Sequence, residues 1–214
     1  GVLAALVEAR GSGRGQGVGA AMTDGAATLR SRMCTLKAMG RWTQERGSNL
    51  LDGGAHFYDT YRCSDGKWLS VGAIEPQFYA LLLDKAGIAD PAFRAQWDRE
   101  QLPALKEKLA AVLLTKTRDE WCAVFAGSDA CVAPVLDMDE APSHPHNRSR
   151  NTFIEINGVT QPAPAPRFSR TVPAMPSAPT VDGDAGAVLA DWGFATDEIA
   201  GSARFDAVAA FRNG

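Results

Sequence analysis

The fold is decided by residues 53–83, which read GGAHFYDTYRCSDGKWLSVGAIEPQFYALLL. Aromatic and β-forming residues fill His56–Cys63, and a second apolar run, Trp68–Ile74, follows a short polar turn. This pattern predicts two strands joined by a tight turn. Glu75-Pro76 then predicts the start of a helix, because proline suits the first helical position, where its missing N–H costs nothing.

We expect this helix to run from Pro76 to Ala86, with an apolar face made of Phe78, Leu81, Leu82 and Leu83. Glu75 therefore lies at a corner between a strand and a helix. A side chain at such a corner is held by a sheet on one side and by a helix on the other, which suits a functional group. The residues alone leave two interpretations of Glu75: an acid/base group, or a carboxylate that interacts with the helix dipole.

Composition limits the class of protein. The chain has 214 residues, 45% of them hydrophobic, so it can bury a core in one or two domains. A formal net charge of -3 and the lack of a dense basic stripe argue against a nucleic-acid partner. No apolar run approaches the roughly 18 residues of a membrane span, and the first residues do not form a signal peptide. We therefore expect a cytoplasmic protein with no membrane partner.

The cysteines and histidines give no clear metal or redox motif. The cysteines are widely spaced and predicted to be reduced and mostly buried: Cys34, Cys63, Cys122 and Cys131. His144 and His146 are two residues apart, but nothing in the sequence completes a metal site around them, so no metal is predicted. His56 lies within the first predicted strand and is interpreted as a packing residue rather than a base.

Several further elements are predicted from local patterns. Leu102–Leu114 has the spacing of an amphipathic helix, with its lysines facing solvent. Thr117, followed three residues later by Glu120, predicts a capping box. Cys131–Leu136 is a predicted strand, and Asn157-Gly158 predicts a hairpin turn. Near the start, we expect a helix that stops at Gly11, a flexible glycine-rich connection and a short buried strand at Val18–Met22.

Three segments carry a resemblance to a known family: residues 53–82, SHPHNRSRNTF at 143–153 and QPAPAPRFSR at 161–170. They closely resemble the α-methylacyl-CoA racemase branch of the class III coenzyme A-transferase (CaiB/BaiF-like) family, and the resemblance spans nearly the whole chain. It implies an α/β fold with two domains. This chain would be the C-terminal part, containing an α+β small domain and little of the Rossmann-like large domain.

The resemblance also implies where the domains lie. Residues 1–40 would be the remainder of the large coenzyme A-binding domain, and residues 41–56 a linker. Residues 57–156 would form the small α+β domain. Residues 157–214 would be an extended strap and helices that return to the large domain. Because the chain begins inside an apolar helical pattern, we expect it to be a fragment.

The function implied by the resemblance is racemisation of 2-methylacyl-CoA thioesters through an enolate, with Glu75 as a catalytic acid/base residue. Coenzyme A would be part of the substrate, so no separate cofactor is expected. A partner histidine and aspartate would lie outside this chain, as would most coenzyme A contacts, and the complete protein would be an interlocked homodimer. The Ile-Glu-Pro-Gln-Phe segment favours racemase over one alternative, a class III CoA-transferase with an aspartate nucleophile. A second alternative, an inactive truncated domain, stays open because most of the large domain is missing from this sequence.

Overall fold

Residues 1–178 and 185–202 are described by the computed structural model. The chain divides into two units, Gly1–Leu136 and a second that begins at Asp137. The predicted domain limits at residues 40, 56 and 156 stay predictions.

The first unit begins with three helices: α1 (Val2–Ser12), α2 (Met22–Leu29) and α3 (Ser31–Ala38). The predicted stop at Gly11 is wrong, because α1 continues to Gly13, whose φ of 73° is the left-handed conformation that ends helices. The predicted buried strand at Val18–Met22 is also wrong. Described residues 13–21 form no helix or strand, and Val18 is 46% exposed.

The apolar side chains of these helices lie at the surface. No residue of the three described helices is buried. The most exposed large side chains are Met22, Leu29, Leu3, Val7 and Val2, at 92%, 86%, 79%, 73% and 69%. These helices therefore contribute little to the core of the first unit.

The predicted hairpin forms the sheet of the first unit. Strands β1 (Tyr58–Arg62), β2 (Trp68–Gly72) and β3 (Val132–Val135) are antiparallel, in the order β1-β2-β3. Tyr61 pairs with Leu69 on the buried face, while Thr60 pairs with Ser70 on the other face. Both hairpin strands are shorter than predicted. The chain turns before β1, where Tyr58 N donates to Ala55 O at 3.0 Å, and after β2, where Ile74 N donates to Gly72 O at 2.9 Å.

Three helices and a 3₁₀ turn pack with the buried face: α4 (Pro76–Ala86), the 3₁₀ helix Pro91–Arg94, α5 (Leu102–Leu113) and α6 (Arg118–Phe125). Helix α4 has the predicted limits, but its buried residues are Tyr79 and Leu82, and the other predicted face residues are only partly buried. The core includes Phe57, Leu69, Phe93, Leu109 and Trp121, each at most 2% exposed.

Polar contacts tie these elements together. The capping box of α6 is confirmed: Thr117 N donates to Glu120 Oε2 at 2.8 Å, and Glu120 N donates to Thr117 Oγ1 at 3.3 Å. Lys106 does not simply face solvent as predicted. It forms an ion pair with Asp59 and donates to Gly53 O at 2.6 Å, so it links α5 to β1 and to the loop before it.

Asn49 organises the loop that leads into the hairpin. It is 1% exposed; its Oδ1 accepts from Thr43 N at 2.8 Å, and its Nδ2 donates to Asp52 Oδ2 at 2.7 Å. Burial tends to raise the pKa of Asp52, but hydrogen bonds from Asn49 and from the backbone outweigh it, so the pKa is lowered. Gly54 lies against this loop: a Cβ there would be 2.5 Å from Ser48 C and 2.6 Å from Asn49 O. Only glycine fits at position 54 without a shift of the backbone.

The second unit contains helices α7 (Glu140–Ser143), α8 (Pro145–Ser149), α9 (Ala185–Asp191) and α10 (Thr196–Ser202). Strands β4 (Phe153–Ile156) and β5 (Val159–Pro162) form the predicted hairpin, with φ of 50° at Asn157 and 79° at Gly158. Residues 179–184 and 203–214, within the predicted strap and returning helices, lie outside the described residues.

The cysteines are free, as expected, but the prediction that most are buried is wrong. Cys63 is buried and Cys122 is half-buried, whereas Cys34 and Cys131 are exposed.

Replacing Gly54 by alanine tests the close approach at the Asn49 loop. The new methyl group must displace backbone atoms of Ser48 and Asn49, so we expect Gly54→Ala to lower the free energy of unfolding by about 1–3 kcal/mol. Urea unfolding measures this change. Gly25→Ala is the matched control, because position 25 is helical and open, and alanine there should be neutral or stabilising by about 0.5 kcal/mol. Equal stability of Gly54→Ala and the parent would contradict the steric account.

Candidate active site

Glu75 lies at the corner between β2 and α4, as predicted from the sequence. It is the N-cap of α4, with φ −73° and ψ 143°, and its carbonyl accepts from Tyr79 N at 2.9 Å. Its side chain is exposed and makes no capping hydrogen bond to the described first turn of α4. The backbone of Glu75 is therefore fixed while its carboxylate stays available to a ligand.

Gln96 holds the residues before Glu75. Its side chain is buried, at 7% exposure, and its Nε2 donates to Ile74 O at 2.9 Å and to Ala73 O at 3.3 Å. Sequence reasoning missed this contact. Gln96 lies in a polar connecting segment, and no periodicity or motif in the sequence marks it.

Tyr79 holds the residues after Glu75. Its hydroxyl donates to Phe93 O at 2.9 Å and contacts His56 Nε2 at 2.7 Å. A hydroxyl has one proton, so Tyr79 must accept from His56, whose Nε2 then bears the hydrogen. Burial raises the pKa of Tyr79 above its ordinary value, so the phenol stays protonated.

His56 is a neutral packing residue, as expected. It is fully buried, its ring meets Phe57, Tyr79 and Phe93 edge-on, and its Nδ1 has no hydrogen-bond partner among the described residues. Burial lowers the pKa of His56 to about 4, because the imidazolium would lose its hydration. Tyr61 adds a further link by donating to the carbonyl of His56 at 2.6 Å.

A groove of about 470 Å³ lies along the exposed face of the sheet. It is lined by side chains of the two hairpin strands together with the Asp52 loop and Cys131: Tyr58, Thr60, Ser70, Asp52 and Cys131. Although Cys131 is exposed, the pKa of its thiol is raised, first by the partial loss of hydration and then by the negative charges of Glu75 and Asp129. Glu75 itself does not line the groove.

The described part of the chain contains no group of three or more His, Cys, Asp or Glu side chains arranged to hold a metal ion. His144 and His146 lie at the start of α8 in the second unit. Among the described helices, none combines the length and apolar character needed to cross a membrane.

The chain belongs to CoA-transferase family III, which it matches over residues 1–185. It is 47% identical over 203 residues to the α-methylacyl-CoA racemase of Mus musculus and 41% identical over 204 residues to that of Homo sapiens. Each match covers 93% of this chain and 53% of the relative, so the chain spans about half the length of these relatives.

Solved structures show the same fold. A CaiB/BaiF family protein from Brucella suis matches 89% of this chain and 51% of its own, with a TM-score of 0.64 and 19% identity. Rv3272 from Mycobacterium tuberculosis matches 80% of this chain and 45% of its own, with a TM-score of 0.61 and 21% identity. The expected α/β class and the expected family are confirmed.

Tyr79→Phe tests the buried hydroxyl. Its loss leaves the Phe93 carbonyl and His56 Nε2–H unpaired in the core, so we expect the free energy of unfolding to fall by about 2–4 kcal/mol. Tyr58→Phe is the control, since Tyr58 is 37% exposed, and its effect should stay within about 0.5 kcal/mol. Chemical unfolding of both variants measures the difference. If the two substitutions lowered the free energy of unfolding by the same amount, the hydrogen bonds of Tyr79 would contribute little to stability.

The neutral state of His56 predicts a pH dependence of stability. The pKa is about 4 in the folded chain and near 6.5 in the unfolded chain. The contribution of neutral His56 to the free energy of unfolding is therefore fully present above pH 6.5, and it is lost as the pH falls towards 4. The loss should reach about 2 kcal/mol at pH 5. The free energy of unfolding of the parent chain should differ between pH 7 and pH 5, and His56 should account for about 2 kcal/mol of that difference. We expect His56→Gln to remove this contribution.

His146→Gln is the control for this measurement, because His146 is exposed. It should keep the pH dependence of the parent chain. A pH dependence in His56→Gln equal to that of the parent would contradict the assignment of a buried neutral imidazole.

Proposed function

We propose that Glu75 serves as an acid/base residue in the racemisation of 2-methylacyl-CoA thioesters by the complete protein that contains this chain. The observation that carries the proposal is the exposed Glu75 carboxylate on a corner held from both sides. The 47% and 41% identities to α-methylacyl-CoA racemases support the reaction type.

The chemistry needs a base and a site for the enolate oxygen. The base removes the α-proton, the electron pair moves towards the thioester oxygen, and return of a proton to the opposite face inverts the centre. Glu75 supplies the carboxylate for one face. The first N–H groups of a helix have no partner within it, so those of Gln77 and Phe78 at the start of α4 are donors of the kind that stabilises an enolate oxygen.

The other half of the reaction requires a second acid/base group. The resemblance implies a histidine and an aspartate on the large domain, and an interlocked homodimer in which the large and small domains of different subunits meet. Coenzyme A is part of the substrate in this proposal, and no metal or separate cofactor takes part. A cytoplasmic location remains the expectation from composition.

A class III CoA-transferase is the alternative, because a CaiB/baiF CoA-transferase family protein of Caenorhabditis elegans is 33% identical over 117 residues. That match covers 54% of this chain, against 93% for the racemases. A racemase incorporates deuterium from D₂O at the α-carbon without an acceptor acid, whereas a transferase requires an acceptor and shows ping-pong kinetics. A truncated domain without activity would do neither.

The test is Glu75→Gln in the complete gene product. The amide keeps the size of the side chain but cannot take the α-proton, so deuterium exchange into a 2-methylacyl-CoA should fall by about 10²- to 10⁴-fold. Binding of the thioester should be retained, because glutamine fills the same space. Proton NMR of the α-position in D₂O measures the exchange.

Glu107→Gln is the matched control, since Glu107 is an exposed carboxylate on α5, and its exchange rate should equal that of the parent. Near-normal exchange by Glu75→Gln would exclude the role assigned to Glu75.

A further inference from the structure

We propose that Gln96 is a positioning residue for Glu75: it fixes the backbone on which the carboxylate is displayed and does not itself touch the substrate. This inference rests on the racemase function proposed above. It concerns a residue that lies outside the strand, the helix and the groove that form the candidate site.

The segment between β2 and α4 needs outside support. Ladder pairing of β2 with β1 ends at Gly72, and the helix begins after Glu75, so Ala73 and Ile74 belong to neither element. Ala73 is fully buried, so its carbonyl group needs a donor from the protein. The two N–H groups of the Gln96 amide give one hydrogen bond to Ala73 O, at 3.3 Å, and one to Ile74 O, at 2.9 Å.

Gln96 is itself held in place. It follows the 3₁₀ helix Pro91–Arg94, which is anchored by Phe93 at 2% exposure. The carbonyl of Phe93 accepts from the Tyr79 hydroxyl at 2.9 Å. One short segment, residues 93–96, therefore binds the chain on both sides of Glu75: at Ala73 and Ile74 before it, and at Tyr79 one helical turn after it.

The chemistry of an amide explains why glutamine suits this position. A single nitrogen with two hydrogens can donate to two adjacent carbonyls at once. An ionised carboxylate has no donor and repels both oxygens, whereas a protonated carboxyl has one donor. A thioether of similar length has none.

Gln96→Met in the complete gene product removes both donors and keeps the length of the side chain. We expect kcat for α-proton exchange to fall by about 10- to 100-fold, because a shift of the base by about 1 Å is enough for a loss of that size. KM should change by less than about threefold, since Gln96 is buried and directed at the backbone. Faster hydrogen exchange at the Tyr79 amide, which donates to Glu75 O, should accompany the loss.

Gln96→Glu provides a readout that a general packing defect would not give. Burial and two carbonyl neighbours favour the neutral form of the introduced carboxyl and raise its pKa. At a pH below that pKa the carboxyl donates to Ile74 O and supports the corner; above it, the charge repels the carbonyls. The variant should therefore lose kcat as the pH rises through a range in which the parent enzyme does not, with near-UV circular dichroism checking that it stays folded.

Gln101→Glu is the matched control, because Gln101 is exposed and donates to Asp98 at the surface. It should keep the pH profile of the parent. A parent enzyme without α-proton exchange would overturn the proposed function, while the amide-exchange comparison would still report on the corner. An active parent whose Gln96→Met variant keeps its kcat, or whose Gln96→Glu variant keeps its pH profile, would overturn the role of Gln96 alone.

Discussion

The hydroxyl of Tyr79 is the contact on which the first unit depends. It accepts from His56, which precedes β1, and donates to Phe93 in the 3₁₀ helix, while its own residue forms the first turn of α4. Three segments distant in sequence meet at this one buried oxygen. A buried polar group without a partner costs about 1–3 kcal/mol. The three segments are therefore coupled: moving His56 or Phe93 leaves at least one polar group unpaired, and moving Tyr79 leaves both of its partners unpaired.

Local signals in the sequence predicted local structure well. Helix α4 begins at Pro76 and ends before Gly87, whose φ is 69°, because proline at the start and glycine after the end act through their own backbone angles. The capping box of Thr117 and the turn at Asn157-Gly158 depend on residues within a few positions of each other. Such features can be read from the sequence without knowledge of the rest of the fold.

Contacts between distant residues could not be predicted in this way. Nothing near Gln96 in the sequence indicates that its amide meets Ala73 and Ile74, and nothing near Lys106 indicates Asp59. The strand predicted at Val18–Met22 failed for the same reason, since a strand requires a neighbour to pair with. The placement of Glu75 followed from local pattern, whereas its proposed role came from resemblance to a family and not from its chemistry alone.

The hydrogen bonds that hold the corner bear on the role proposed for Glu75. In racemisation the α-carbon passes through a planar enolate with small movements, so a base on each face works best if it keeps its place. A class III CoA-transferase would instead use an aspartate as its nucleophile, so a fixed base at Glu75 is a requirement of the racemase proposal alone. A carboxylate whose backbone is held by Gln96 on one side and Tyr79 on the other, while its side chain stays exposed, meets that requirement.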